Sequence, residues 1–344
     1  MPSTRIDDRS RTILMETVSN YITTAEPVGS GTISRNLEQR LSSATVRHVM
    51  ADLEEMGFLH QPHTSAGRVP TDQGYRFFVN ELLQIQIQNP APLAAFPRDL
   101  RQRSLDEILE SACSFLSTCS HQAGLVMVPS FWELALKNIQ FIHLTSGKLL
   151  AVFESQMGML QNKIIETGEA LSQERLNAVS NYLNREFGGR SLKAIRQELL
   201  HRKKNEKARY NELVKKASEL WVQMFPGEQN AELLIDGLIN LLDQPEFSEN
   251  VEKMKRLMKT VDEKAKLIKL LDQCMLEDGL TVLIGEENPD EELEGFSLIA
   301  QNYRMGDEKL GTLAVFGPKR MDYQKMIGIV NSTASNVSEF LTNK

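Results

Sequence analysis

"SSATVRHVMADLEEMGFLHQPHTSAGRVPT", residues 42–71, runs from two serines through an amphipathic stretch into a tip rich in His, Ser, Gly and Pro. Val46, Val49, Met50, Leu53 and Met56 recur at spacings of 3, 1, 3 and 3, the rhythm of one buried helix face. Ser42 or Ser43 can cap the start, and Gly57 ends the run. On a wheel of about 100° per residue, Ala44, His48, Ala51 and Glu55 lie opposite the apolar stripe, with Thr45 and Arg47 on its flanks. The order along the chain is polarised as well. Ser42, Ser43, Thr45, Arg47 and His48 occupy the first turns, and Asp52, Glu54 and Glu55 the last. A helix N-terminus carries partial positive charge and free N–H groups, which favour phosphate. Acids in the last turn oppose the helix dipole, so local helix stability does not account for them. Beyond the helix, "FLHQ" and "RVP" flank the turn "PHTSAG" and read as a small hairpin.

Working outward, Ile13, Leu14, Thr17, Val18, Tyr21 and Ile22 share one face of a first helix that stops before "AEPVGS". Ser30 can cap a short second helix carrying Ile33 and Leu37. Thr71 can cap a fourth, with Tyr75, Phe78, Val79, Leu82 and Leu83 inward. Pro90, Pro92 and Pro97 in "NPAPLAAFP" then mark a linker. Three helices and a hairpin before it predict a winged helix-turn-helix over residues 1–88. In that class the third helix enters the major groove and the hairpin touches neighbouring backbone or minor groove. The DNA-facing candidates are Ser42, Ser43, Thr45, Arg47 and His48 on the helix, and His63, Thr64, Ser65 and Arg68 on the wing. Charge argues the other way. Residues 1–85 hold eight Arg, no Lys and ten acids, so non-specific affinity should be poor and tight binding must come from dimeric, specific contacts. The bland alternative is a protein-interaction module without DNA binding.

After the linker (89–103) come a helix at 104–119 and four short runs, "GLVMVPS", "NIQFIHLTS", "KLLAVFES" and "NKIIETG", each bounded by turn residues. A mostly helical middle follows. "GLTVLIG", "FSLIAQNYR" and "LGTLAVFG" then read as strands before a terminal helix from Tyr323. Sheet signals on both sides of a helical middle predict one α+β domain, 104–189 with 248–344, interrupted by an insertion at 190–247. The insertion carries Leu213, Ala217, Leu220, Trp221 and Met224 on one stripe, and "LLIDGLINLL" adds more apolar surface than so small a unit readily buries. Pairing two copies would cover it. Dimerisation is therefore expected there, through Leu213, Leu220, Trp221 and Met224.

The whole chain has 344 residues, net charge −7 and a 41% hydrophobic, 25% charged composition, an ordinary multidomain globular balance. The opening "MPSTRIDDRSRTILMETV" does not read as a secretory signal, and no apolar run approaches a membrane span. Cys113, Cys119 and Cys274 fit free thiols in a reducing cytoplasm. His60 and His63 in "HQPH" lack companion ligands, so no metal is expected. No phosphate loop, nucleophile elbow or His/acid constellation points to an enzyme. The basic run "HRKKNEKAR" (201–209) reads as a solvated face. Val251, Met254, Met258, Val261, Ala265 and Ile268 repeat like a coiled coil but read better as a core stripe.

"EPVGSGTIS", residues 42–83 through "GYRFFVNELL", and "LIDGLINLLDQPEF" downstream resemble the heat-inducible transcription repressor family, HrcA. The likeness runs from about residue 8 to the C-terminus and is densest at 26–83. The family pattern has Arg at Gly31, Pro at Ser43 and Asn at His48. Gly31 thus removes a phosphate contact and His48 alters a base reader. The resemblance implies a dimeric repressor binding double-stranded DNA at an inverted-repeat operator ahead of chaperonin and DnaK-type operons. It also implies a winged helix, a GAF-like domain with an inserted dimerising domain, and the chaperonin GroEL as modulator, with no cofactor. A ligand-responsive regulator using a GAF-like pocket is the alternative within the same scaffold.

Overall fold

The computed structural model describes residues 6–37, 41–63, 66–88, 96–97, 104–129, 134–145, 147–156, 158–168, 171–205, 211–225, 232–248, 252, 254–255, 258–259 and 263–342. It is a mixed α+β chain that divides into two compact units, one formed by 1–128 with 233–344 and the other by 129–232.

The first unit opens with α1 (Asp8–Thr24), α2 (Ser30–Asn36) and α3 (Ser43–Glu55), then a two-stranded hairpin of β1 (Leu59–His60) and β2 (Val69–Pro70), then α4 (Asp72–Gln88). Asp7 caps α1 by accepting from Ser10 N at 2.7 Å, and Thr71 Oγ1 accepts from Gly74 N at 3.1 Å to start α4. Ile13, Leu14, Val18, Ile33, Val46, Met50, Leu53 and Val79 are buried in this segment, as the helical periodicity requires.

The rest of the unit is built on a five-stranded antiparallel sheet. Its strands are β3 (Ala123–Met127), β7 (Leu233–Asp236), β8 (Leu280–Ile284), β9 (Phe296–Met305) and β10 (Glu308–Pro318), in the order β7-β3-β10-β9-β8. Helices α5 (Leu105–Ser120) and α12 (Tyr323–Thr342) pack on the sheet and on each other, and α11 (Lys264–Leu276) packs on β9 and β10. The short helices α9 (Leu238–Leu242) and α10 (Pro245–Ser248) follow β7. The buried face of α11 is Leu267, Leu270, Leu271 and Cys274. The heptad-like stripe expected as core is not: Met258 and Ala265 are exposed and Ile268 only half-buried, while Val251 and Val261 lie outside the described residues.

The second unit contains a three-stranded meander of β4 (Leu136–Thr145), β5 (Lys148–Ser155) and β6 (Leu160–Glu166), with α6 (Gln173–Phe187), α7 (Leu192–Asn205) and α8 (Asn211–Met224). The interruption therefore spans 129–232, where the sequence suggested 190–247. Strands β4 to β6 pair only with one another among the described residues, because short turns join them, and they add nothing to the five-stranded sheet. Residues 233–247 instead return to the first unit, since "LLID" is a strand paired with β3 and closed by Gly237 at φ +73°. The side chains expected to pair two copies are used inside this unit. Trp221 is 0% exposed, Leu220 and Met224 are buried with Phe153, Phe187 and Leu183, and Leu213 packs on the same cluster. Leu220, Trp221 and Met224 of the α8 stripe are thus covered within this unit, and Leu213 is partly covered.

Helix α6 also seals the free edge of β4. Asn184 Oδ1 accepts from Ile139 N at 2.8 Å, Ser180 Oγ from Phe141 N at 3.1 Å, and Gln173 Oε1 from His143 N at 2.8 Å. An uncovered edge offers those groups to any other strand, and polar side chains spaced along one helix remove the offer. No helix of the described residues is long and apolar enough to cross a membrane.

Candidate nucleic-acid interface

Helix α3 shows two chemically distinct faces. Val46, Val49, Met50 and Leu53 are buried, whereas Ser42, Ser43, Ala44, Arg47 and His48 are exposed. Ser42 is the N-cap: its Oγ accepts from Thr45 N at 3.1 Å and meets Thr45 Oγ1 at 2.9 Å. Ser43 Oγ lies 3.0 Å from Ser30 Oγ in the first turn of α2, which joins the starts of two helices on one surface. His48 is 82% exposed, with Nε2 3.9 Å from Asp52 Oδ2. At Gly31 a Cβ would meet only Ser43 Oγ, at 4.0 Å, so packing does not demand glycine there. Five of the nine sequence-predicted residues thus share the first turns of one helix, four exposed and Thr45 half-buried.

The wing divides differently. His63 is exposed, and its carbonyl accepts from Ala66 N at 2.8 Å. Thr64 and Ser65 lie outside the described residues. Arg68 does not present its charge to solvent: the side chain is 18% exposed and its Nη2 is 2.8 Å from Glu54 Oε2. Glu54 Oε1 also accepts from Gln61 N at 2.9 Å. The acid late in α3, unexplained by helix chemistry alone, is a tether that fixes the hairpin to the helix. The backbone of Arg68 is held as well, exchanging hydrogen bonds of 2.8 and 2.9 Å with Val28. Gly67 permits that approach, since a Cβ there would stand 2.4 Å from Val28 O.

Sequence reasoning missed a second cluster, a joint between α1, α4 and the five-stranded sheet. The Asp72 carboxylate accepts from Lys319 Nζ and from Glu286 N at 3.0 Å. Arg76 pairs with Glu287 and donates to Val282 O, on edge strand β8, at 2.6 Å. Arg320 donates to Ile22 O, in α1, at 2.7 Å and pairs with Glu246. The Tyr75 and Tyr323 rings sit 6.0 Å apart, and burial raises both phenols above their ordinary value. Two charged residues either side of an inward tyrosine in "DQGYR" were the available signal. Their partners lie more than 200 positions downstream. Among the described residues, no group of three or more His, Cys, Asp or Glu could hold a metal ion.

A family model for the HrcA protein C-terminal domain matches residues 106–327. Among curated relatives, the heat-inducible transcription repressor HrcA of Geobacter sulfurreducens is 39% identical over 98% of this chain and 99% of its own. That of Syntrophobacter fumaroxidans is 36% identical over 98% and 97%. A crystal structure described as a hypothetical protein superposes with TM-score 0.71 at 25% identity, covering 98% of this chain and 99% of that one. With more than half its length matched by the family model and full-length relatives at this identity, the chain belongs to the HrcA family of heat-inducible transcription repressors.

Proposed function

We propose that this chain is a heat-shock repressor that reads double-stranded DNA with α3 of an N-terminal winged helix-turn-helix, and that it is a regulator and not an enzyme. The observation that carries the reading is the exposed N-terminal half of α3, with Ser42, Ser43, Arg47 and His48 outward and the acids kept to its far end. Helix N-terminal N–H groups and small hydroxyls suit phosphate, and an arginine one turn in suits a guanine edge. The five-stranded unit is the GAF-like body, and 129–232 the inserted unit. Two chains engage the two halves of an inverted repeat, which compensates for a module that has more acids than bases. The chaperonin GroEL replenishes the folded repressor, and family resemblance supports that partner. Competition between unfolded clients and the repressor for chaperonin would lower the active population under heat.

The test is fluorescence anisotropy with the inverted repeat upstream of the host's chaperonin operon, against a scrambled duplex, across a salt series. Preference for the repeat by at least about three orders of magnitude matches specific recognition. Equal binding to both duplexes would refute it.

A further inference from the structure

We propose that the joint made by Asp72, Arg76, Lys319 and Arg320 sets the half-site spacing that this repressor accepts. The inference rests on the reading of the chain as a dimeric DNA binder, and it assigns these residues to spacing rather than to contact with DNA.

The joint grips the DNA-reading module at three separate places. Arg320 holds a backbone carbonyl in α1, at Ile22, while Lys319, one residue earlier in the chain, holds Asp72 at the start of α4. Arg76, one turn into α4, reaches the carboxylate of Glu287 and the edge-strand carbonyl of Val282. One attachment would leave the module free to swing and two would leave it a hinge axis; the third, at Arg76, removes that axis. The fit is close, because a Cβ on Gly285 would stand 1.8 Å from Asp72 Oδ2. Charge-assisted hydrogen bonds of this kind impose direction as well as attraction.

The recognition face is elsewhere. Ser42, Ser43, Arg47 and His48 remain exposed with the joint closed, so closure hides none of them and a single half-site can be read in the docked state. What closure fixes is the position of α3 relative to the body, and hence to the second copy. Recognition helices in a dimer must be separated by whole helical turns, about 34–36 Å each, to meet both halves of a repeat. A module released from the joint is restrained by chain connectivity alone. It then reaches half-sites at several separations and gains less from each, because its effective concentration is spread over a larger volume.

The experiment uses the full-length chain and four duplexes: the natural inverted repeat, the repeat with the spacer changed by one base pair, the repeat lengthened by about half a turn, and one isolated half-site. The variants are Lys319→Ala, Lys319→Ala with Arg320→Ala, and the conservative Lys319→Arg. All three lie in the body, so the module's own core is untouched. Wild type should prefer the natural spacer over the half-turn insertion by about a hundredfold or more. The double variant should hold the isolated half-site within about twofold of wild type while its spacer preference falls to about tenfold or less. Lys319→Arg should restore the preference. A merely structural role would lower the melting temperature and scale all four affinities together. Spacer preference unchanged in the double variant overturns the proposal, as does a wild type indifferent to spacing. Failure of wild type to bind the natural repeat at all would instead reject the DNA-binding reading. If the double variant does not fold, Lys319→Ala alone decides, by the same ratio.

Discussion

Arg47 and Arg68 come from the same thirty-residue stretch and carry the same charge, yet they have different work. Arg47 is exposed in the second turn of α3, clear of the buried stripe. Arg47→Ala should cost about 1–3 kcal/mol per half-site through the lost base or phosphate contact, felt twice by a dimer, with an unchanged circular-dichroism spectrum. Operator titration checks this, and normal affinity would mean that α3 is not the reader. Arg68 is held by Glu54, so Arg68→Ala should lower the thermal midpoint of the module while the slope of log affinity against log salt stays that of wild type. A true phosphate contact would reduce the slope by about one unit on removal. The two fates were only half legible. Periodicity shows which residues of α3 leave the core, because every turn repeats the test. A lone arginine after a turn carries no such pattern, and its partner Glu54 is recognisable only once the hairpin folds back onto α3.

Elements were more legible than their partnerships. The N-terminal helices follow from 3.6-residue periodicity and capping residues, and β4 to β6 from β-branched and aromatic runs between turns. Which sheet a strand joins is another matter, since a strand's sequence reports burial on its faces and nothing about its neighbour. "LLID" is shorter still, and three apolar residues followed by an aspartate cannot be told from the start of a helix. An apolar helix stripe has the same ambiguity: α8 reads identically whether its cover is a second chain or its own unit. Here the indole's cover is internal, and Trp221→Ala should cost about 3–5 kcal/mol of that unit's stability by opening a cavity in the cluster beside Phe225. Urea unfolding followed by far-ultraviolet dichroism measures it. A loss below about 1 kcal/mol would show that the indole is not core.

At the scale of the whole molecule, the first unit is held by buried phenols as well as by ion pairs. Burial raises Tyr75, Tyr303 and Tyr323 above the ordinary value near 10. Each keeps its proton in the native state at a pH where the unfolded chain has released it. Their contribution is therefore complete below about pH 10 and is lost as pH climbs through the folded-state values. The urea midpoint should fall between pH 9 and 11, and phenolate absorbance should rise together with unfolding rather than before it. Ionisation of all six tyrosines in a chain that stays folded would contradict this. Such coupling was invisible in sequence, where Tyr75 could be read as inward but Tyr323 only as the start of a helix. The order of the elements has a further consequence, in the time domain. Strand β3 has as its two neighbours β7 and β10, and Ile22 and Asp72 await Arg320 and Lys319. A ribosome adding about 5–20 residues per second needs roughly 10–50 s to travel from Asp72 to Lys319. Throughout that interval the N-terminal helices and hairpin have no body to fasten them, and β3, once made, keeps both edges open until β7 arrives and one edge open until β10 closes the sheet. The delay is written into the order of the strands along the chain, and an unpaired strand edge is prone to aggregation for as long as it lasts.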